Sequence, residues 1–257
     1  MRRTGRSLET FTVLGCRVCS VSLDEAVDTV AALAELDAGT TVVTLGVEMV
    51  MAAQHDRAFR DLINRASLVT CDTIGLLLAS RLRRGSLRER VTGVDLVGAL
   101  AARSATTGDV RLYLLGGGGD TAVRAADALR RAHPGAKIVG ARDGYFQPED
   151  NEAVADAIRA TGANVLLVGL GSPKQEFWID RYIMRSGCAV GIGVGGSFDV
   201  YAGNVRRAPA FFRRTGLEWA YRLFKEPRRW RRQLALPRFA VAAAREFLSG
   251  KAGSMEY

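Results

Sequence analysis

The sequence is poor in the side chains from which metal and redox centres are built. Its 257 residues include two histidines, His55 and His133, and four cysteines, Cys16, Cys19, Cys71 and Cys188. A structural zinc site takes about four ligands. The single C-x-x-C, from Cys16 to Cys19, lies in a strand-like stretch with no second pair and no histidine nearby. Reduced, packed thiols are therefore expected. No apolar run approaches the roughly 20 residues that a helix needs to cross a bilayer. The first ten residues are basic but no apolar run follows them, so no signal peptide is expected and a cytoplasmic setting follows. The absence of G-x-x-x-x-G-K-[ST] argues against a P-loop nucleoside triphosphatase. The absence of D-x-D leaves no obvious carboxylate pair to hold a divalent cation on a diphosphate.

Acidic residues are scarce in one region only. The last 57 residues hold 13 Lys and Arg against Glu218, Glu226, Glu246 and Glu256, and the formal charge of +9 belongs wholly to them. Arginines there interleave with aromatics: Phe211, Phe212, Arg213, Arg214, Trp219, Tyr221, Arg222, Phe224, Arg228, Arg229, Trp230, Arg231 and Arg232. A neutral body with a basic, aromatic tail points to a partner carrying phosphate, an apolar phase, or both.

With 48% hydrophobic and 25% charged residues the body reads as globular. Short apolar runs, Thr41–Leu45, Leu68–Cys71, Arg111–Leu115, Lys137–Gly140, Asn164–Leu170 and Ala189–Val194, alternate with helix-length amphipathic segments. This alternation predicts an α/β fold with a Rossmann-like, mostly parallel sheet and helices on both faces. Phe11–Val21 reads as a hairpin, and Leu23–Leu36 as a helix that Ser22 caps. After Asp199 the strand pattern stops. Pro209, Pro227 and Pro237 punctuate three helix-like pieces, so residues 1–205 are read as the core and 206–257 as a basic helical appendage.

In open α/β sheets ligands bind beyond the carboxyl ends of the strands. Those ends here carry Thr44 and Gly46, Asp72 and Gly75, Gly116–Asp120, and Gly169–Glu176. The glycine run at 116–119 suits either a phosphate at a helix N-terminus or a tight strand-to-helix turn. Asp143 has the place of a ribose-holding carboxylate in a nicotinamide oxidoreductase, which keeps that class open. Asp72 is an N-cap or a functional carboxylate. Asp95 is likewise a cap or a substrate contact.

Several motifs in one order resemble the WecG/TagA/CpsF family of bacterial glycosyltransferases. They are Thr44-Leu45, Asp72-Thr73-Ile74-Gly75, Arg90-Val91-Thr92-Gly93-Val94-Asp95, Gly169 through Gly171-Ser172-Pro173-Lys174-Gln175-Glu176, and Gly193 through Asp199. Arg207-Ala208-Pro209, Gly216-Leu217-Glu218-Trp219, Tyr221-Arg222-Leu223 and Glu226-Pro227 continue the series. The resemblance implies inverting transfer of a sugar, N-acetylmannosamine or a related hexose, from a UDP-sugar donor to a polyprenyl-diphosphate-linked saccharide. It places such work at the inner face of the bacterial cell membrane, in cell-wall or surface-polysaccharide synthesis. It makes Asp72 the general base, with Thr44 also in the catalytic set. Arg90, Asp95, Gln175, Tyr145, Asp199, Gly171, Arg222, Arg229 and Arg232 become the substrate-binding residues. Two positions depart from the family pattern: Gly46 stands where Asn is usual, and Thr73 where Gly is usual. Losing an Asn removes up to three hydrogen bonds to a sugar, so donor or acceptor is expected to differ.

The chemistry suits these residues. A carboxylate at a strand end can take the acceptor's hydroxyl proton, for about 10²–10⁴-fold. Arginine forks can meet the charge growing on departing UDP. Catalysis without a metal cofactor is therefore expected, with tail arginines in the cation's usual role. The tail also suits an anionic membrane surface, where each Lys or Arg adds about 1 kcal/mol. It has the ingredients of a nucleic-acid grip but no recognition module, so no nucleic-acid partner is expected. A homo-oligomer is compatible with the sequence.

Overall fold

Six of the short apolar runs form one parallel sheet. The structure, a computed structural model, describes residues 8–36, 38–209, 211–212, 221 and 235–249. A two-stranded antiparallel hairpin, β1 (Thr10–Val13) and β2 (Cys16–Cys19), comes first. It is followed by α1 (Leu23–Ala34), β3 (Thr40–Leu45), α2 (Val47–Ala53), α3 (Arg57–Arg65) and β4 (Leu68–Cys71). Next come α4 (Ile74–Leu82), α5 (Gly93–Thr107), β5 (Leu112–Gly116), α6 (Thr121–Ala132) and β6 (Ile138–Arg142). The chain continues through α7 (Asn151–Ala160), β7 (Val165–Gly169), α8 (Lys174–Tyr182), β8 (Val190–Gly193) and α9 (Ser197–Tyr201). The last described helix, α10, spans Ala235–Leu248.

The sheet order is β4-β3-β8-β7-β5-β6, with every neighbouring pair parallel. Every residue of β4, β5 and β8 is buried. That pattern is required of strands covered on both faces, and it explains why they appear as unbroken apolar runs rather than as alternating ones. Helices α3, α7 and α8 pack together, and α1, α5, α6 and α9 pack together, giving the two covering layers. The hairpin lies against β4, α3 and α4 beyond the sheet's edge. The Rossmann-like architecture expected from the sequence is the one observed.

Local chemistry sets the helix ends. Ser22 caps α1 and Glu25 reaches back to the Ser22 N–H, a reciprocal capping box. Thr92 caps α5, and Gly108 ends it in the left-handed conformation at φ 68. The four cysteines are free and buried. Burial pushes the Cys71 thiol up to about 12, with the Asp72 charge adding to the effect.

Helix α10 is packed on α2 and α4, and its Phe239 and Ala243 enter the main core. Glu246 fixes it from the other side. It pairs with Arg83 at 2.6 Å, where the side chains are 17% and 10% exposed, and it accepts the Leu14 N–H at 3.1 Å. The Arg83 guanidinium also lies over the Phe11 ring.

Candidate active site

All six strands end on one edge of the sheet, and an unbroken line of short contacts crosses that edge. Asp72 follows β4 directly. Its N–H donates to the Leu45 carbonyl, and its Oδ1 accepts the Gly93 N–H at 3.0 Å. The N-cap of α4 is Thr73, so the capping use of Asp72 gives way to a bridge from β4 to the first turn of α5. That placement is favourable to a negative charge. At Gly93 a Cβ would stand 3.1 Å from Ser197 Oγ and 3.2 Å from the Val194 carbonyl, which ties this corner to the end of β8. The Gly195 carbonyl in turn abuts Gly169, at the end of β7. Gly169 accepts from the Gly117 N–H, and the Gly117 carbonyl accepts from Gly144, beside Tyr145. Strands β5 and β7 approach closely here. Gly116 has φ 134, and a Cβ on it would lie 2.4 Å from the Gly169 carbonyl oxygen.

The residues selected from the sequence fall along this line. Thr44 is buried, and its hydroxyl donates to the Gly193 carbonyl at 2.8 Å. Gln175 is also buried: its Oε1 accepts the Gly195 N–H at 3.1 Å and its Nε2 donates to Glu176 Oε1 at 2.6 Å. Gly171, at φ 79, precedes the Ser172-Pro173 peptide, which is cis, and its carbonyl accepts the Gln175 N–H. Tyr145 is 81% exposed, and its ring edge would touch a Cβ on Gly118 at 3.0 Å, so it stands over the glycine loop. Asp143 is engaged locally, accepting the Tyr145 N–H at 2.8 Å. Asp199 accepts from Asn204, whose amide also donates to Thr121 at the start of α6.

Arg90 and Asp95 belong to the Asp72 corner. The Val91 N–H donates to the Cys71 carbonyl, which brings Arg90 alongside β4, where its charge acts on both Cys71 and Asp95. Asp95 accepts from Thr92 at 2.7 Å and from Arg207 at 2.5 Å. Burial alone would raise its carboxyl. The bonds from Arg207 and Thr92, with the charges of Arg207 and Arg90, outweigh burial and hold it below the usual carboxylate range. Arg222, Arg229 and Arg232 lie outside the described residues. The structure thus brings Thr44, Asp72, Arg90, Asp95 and Gln175 together at the β3, β4 and β8 ends. Tyr145 and the glycine loop lie further along the same edge.

Two residues of consequence, Arg207 and Glu176, were not selected from the sequence, and Thr73 was noted only as a departure. Arg207 holds Asp95 from 112 positions away along the chain. Glu176 is fully buried, and its Oε2 has no partner in bonding geometry. Burial pushes its carboxyl up, and the bond from Gln175, with the Ser172 hydroxyl nearby, only tempers that shift. Thr73 Oγ1 accepts the Val47 N–H at 3.3 Å, and its Cγ2 lies 3.3 Å from where a Cβ on Gly46 would stand. Positions 46 and 73 are therefore adjacent in space. Thr73 supplies a bond to the start of α2, where Gly46 has no capping side chain. The motif strings contained Arg207 and Glu176, but nothing local marked either as a long-range contact.

Helix α10 meets the same corner. Leu236 and Phe239 of α10 reach within 3.8 and 3.9 Å of a Cβ position on Gly75, beside Val47. Among the described residues, no three His, Cys, Asp or Glu side chains gather as a metal site. Among them, too, no helix is long and apolar enough to cross a membrane.

Comparison with known proteins places the chain among glycosyl transferases. Residues 11–253 match the Glycosyl transferase WecG/TagA/CpsF family. A protein of Bacillus spizizenii (strain ATCC 23059 / NRRL B-14472 / W23) is 37% identical over 204 residues, 79% of this chain and 78% of its own. One of Bacillus subtilis (strain 168) is 36% identical over 208 residues, 81% of this chain and 80% of its own. Both are N-acetylglucosaminyldiphosphoundecaprenol N-acetyl-beta-D-mannosaminyltransferases.

Proposed function

The chain belongs to the WecG/TagA/CpsF family of glycosyl transferases, and on that premise we propose that it is an inverting hexosyltransferase using a UDP-sugar donor and a polyprenyl-diphosphate-linked acceptor. The observation that carries this reading is the position of Asp72. It stands at the carboxyl edge of the sheet, held through Oδ1 by the first turn of α5 and continuous with the ends of β8, β7 and β5. The two Bacillus relatives act, by name, on a sugar-diphosphoundecaprenol, which supports an acceptor of that class.

In the proposed reaction Asp72 takes the proton of the acceptor hydroxyl as that oxygen bonds to the donor's anomeric carbon. The bond from that carbon to the UDP oxygen breaks, its electron pair leaves with UDP, and the anomeric configuration inverts. Thr44 and Gln175 act on the floor of the site, since both are buried and bonded to the end of β8. Tyr145, exposed above the glycine loop, offers a ring for the uracil or the sugar. Arg90 and the tail arginines meet the charge of the leaving diphosphate, without a divalent cation.

The acceptor's lipid sets where the enzyme works. Helices α4 and α10, packed together, expose Leu78, Leu82, Val241, Phe247 and Leu248 alongside Arg81, Arg238 and Arg245, and exposed Arg84 follows α4. Exposed apolar and basic side chains on two packed helices suit the headgroup layer of an anionic bilayer. The inner membrane face follows as the proposed location.

A screen of UDP-sugars for protection against thermal unfolding tests the donor. At least one is expected to raise the melting temperature in the presence of chelator. Protection and turnover that both vanish with chelator and return with Mg²⁺ would overturn the metal-free proposal.

A further inference from the structure

Glu176 is the only acidic side chain among the described residues that is fully buried. Burying a carboxylate is costly, and a leucine would fill the same space more cheaply. Its contacts supply a reason. Oε1 accepts the Gln175 Nε2–H at 2.6 Å, while Gln175 Oε1 takes the Gly195 N–H at 3.1 Å. The two ends of a glutamine amide have nearly the same shape, and only its partners decide which end carries the oxygen. Turned over, the amide would set its NH₂ against the Gly195 N–H. An acceptor at Glu176 keeps the NH₂ on the far side.

The turn fixed in this way is central to the substrate ledge, the line of contacts along the carboxyl edge of the sheet. Gly193 has no room for a Cβ, which would lie 2.6 Å from Gln175 Nε2 and 2.8 Å from Glu176 Oε1. Thr44 grips the Gly193 carbonyl from β3, Val194 borders Gly93 beneath Asp72, and Gly195 abuts Gly169. Gly195 itself is left-handed, at φ 53. The Asp72 corner and the glycine-loop half therefore meet on residues 193–196. We propose that Glu176 is a positioning residue that acts through Gln175 to fix this turn, and so holds the two halves of the substrate ledge in register.

The activity arm of the test rests on the glycosyl-transfer reading; the exchange arm does not. Hydrogen exchange of the peptide covering Gly193–Gly196 is measured in the full-length protein, as wild type, E176Q and E176L. E176L is expected to speed exchange there by about tenfold while remote helices keep their protection. E176Q, which still offers an acceptor to Gln175, is expected to stay near wild type. For sugar transfer, E176L is expected to lower kcat/KM about 10–100-fold, as small misplacements do. In a Q175L background it should add less than about twofold, because both changes break one chain of contacts. Unchanged exchange at the turn, E176Q as damaging as E176L, or additive losses in the double variant would each overturn the proposal. Should E176L fail to fold, Q175L must itself unprotect the turn, and protection retained there overturns the proposal too. A wild-type protein without sugar transfer removes the catalytic reading and leaves the exchange result to decide the positioning role.

Discussion

Asp72 and Thr73 are adjacent in sequence but serve different partners, and their difference shows what one residue controls here. Asp72 reaches across to Gly93, whereas Thr73 turns back to Val47 and fills space beside Gly46. An asparagine at position 46 would meet Thr73 Cγ2 at its Cβ, 3.3 Å away. Position 46 is also the N-cap of α2, where Asn is a favoured cap, so the expectation is coupling: G46N/T73G should melt higher than the sum of the two single changes predicts. The coupling should be about 0.5–3 kcal/mol in a double-mutant cycle of thermal unfolding. The same pair of changes is expected to alter the ranking of UDP-sugars as donors, because it exchanges a methyl and hydroxyl for an amide next to the proposed base. A second residue-scale prediction concerns Glu176. Its carboxyl is raised in the folded protein, so the unfolded chain ionises first. The folded state then loses stability as pH rises from the ordinary glutamate range up to the folded pKa. E176Q removes that titration. Relative to wild type it should gain melting temperature between pH 5 and pH 8, as scanning calorimetry at the two pH values would show.

At the scale of elements, much of the fold was legible in the sequence. Buried parallel strands must be short and apolar, and Leu68–Cys71 was delimited by that pattern alone. The hairpin and the Ser22 cap were equally local signals. What was not legible lies in contacts between elements. Nothing near Asp72 in the chain indicates that its partner is Gly93, and nothing near Arg207 points to Asp95. These pairings depend on how β4, α5 and the segment after α9 come together. The Asp95–Arg207 pair fastens the chain where it leaves α9, and Glu246–Arg83 fastens α10 on its return. E246A leaves the Leu14 N–H without its acceptor and Arg83 with only the Thr12 carbonyl, at 3.3 Å. It should cost about 1–3 kcal/mol, the penalty for stranding a poorly exposed polar group, and make α10 the first site of proteolytic cleavage. Limited proteolysis with mass mapping reads both effects, and an unchanged pattern would contradict the role given to Glu246. The Asp95 carboxyl is depressed, so its contribution is present at neutral pH and fades as pH falls through its folded pKa, below the ordinary aspartate range.

For the whole molecule, the distribution of charge and of exposed apolar side chains becomes one proposal about location. The body is formally neutral, the last 57 residues carry the entire +9, and α10 lies beside the Asp72 corner. A protein so built should bind anionic vesicles and release them at high salt. Replacing Arg238 and Arg245 with alanine should weaken that binding about 30-fold, at about 1 kcal/mol for each charge. Vesicle sedimentation at two salt concentrations is the check, and salt-independent binding would contradict it.

The account depends above all on Asp72 removing a proton during an inverting transfer. The most direct measurement follows UDP release and product anomer by NMR for wild type and D72N, with a polyprenyl-diphosphate-linked N-acetylglucosamine and a panel of UDP-sugars. The account predicts that wild type releases UDP only when both substrates are present and gives an inverted product. It also predicts that D72N folds normally and turns over about 10²–10⁴-fold more slowly. Retention of configuration, or a D72N protein as active as wild type, would contradict it.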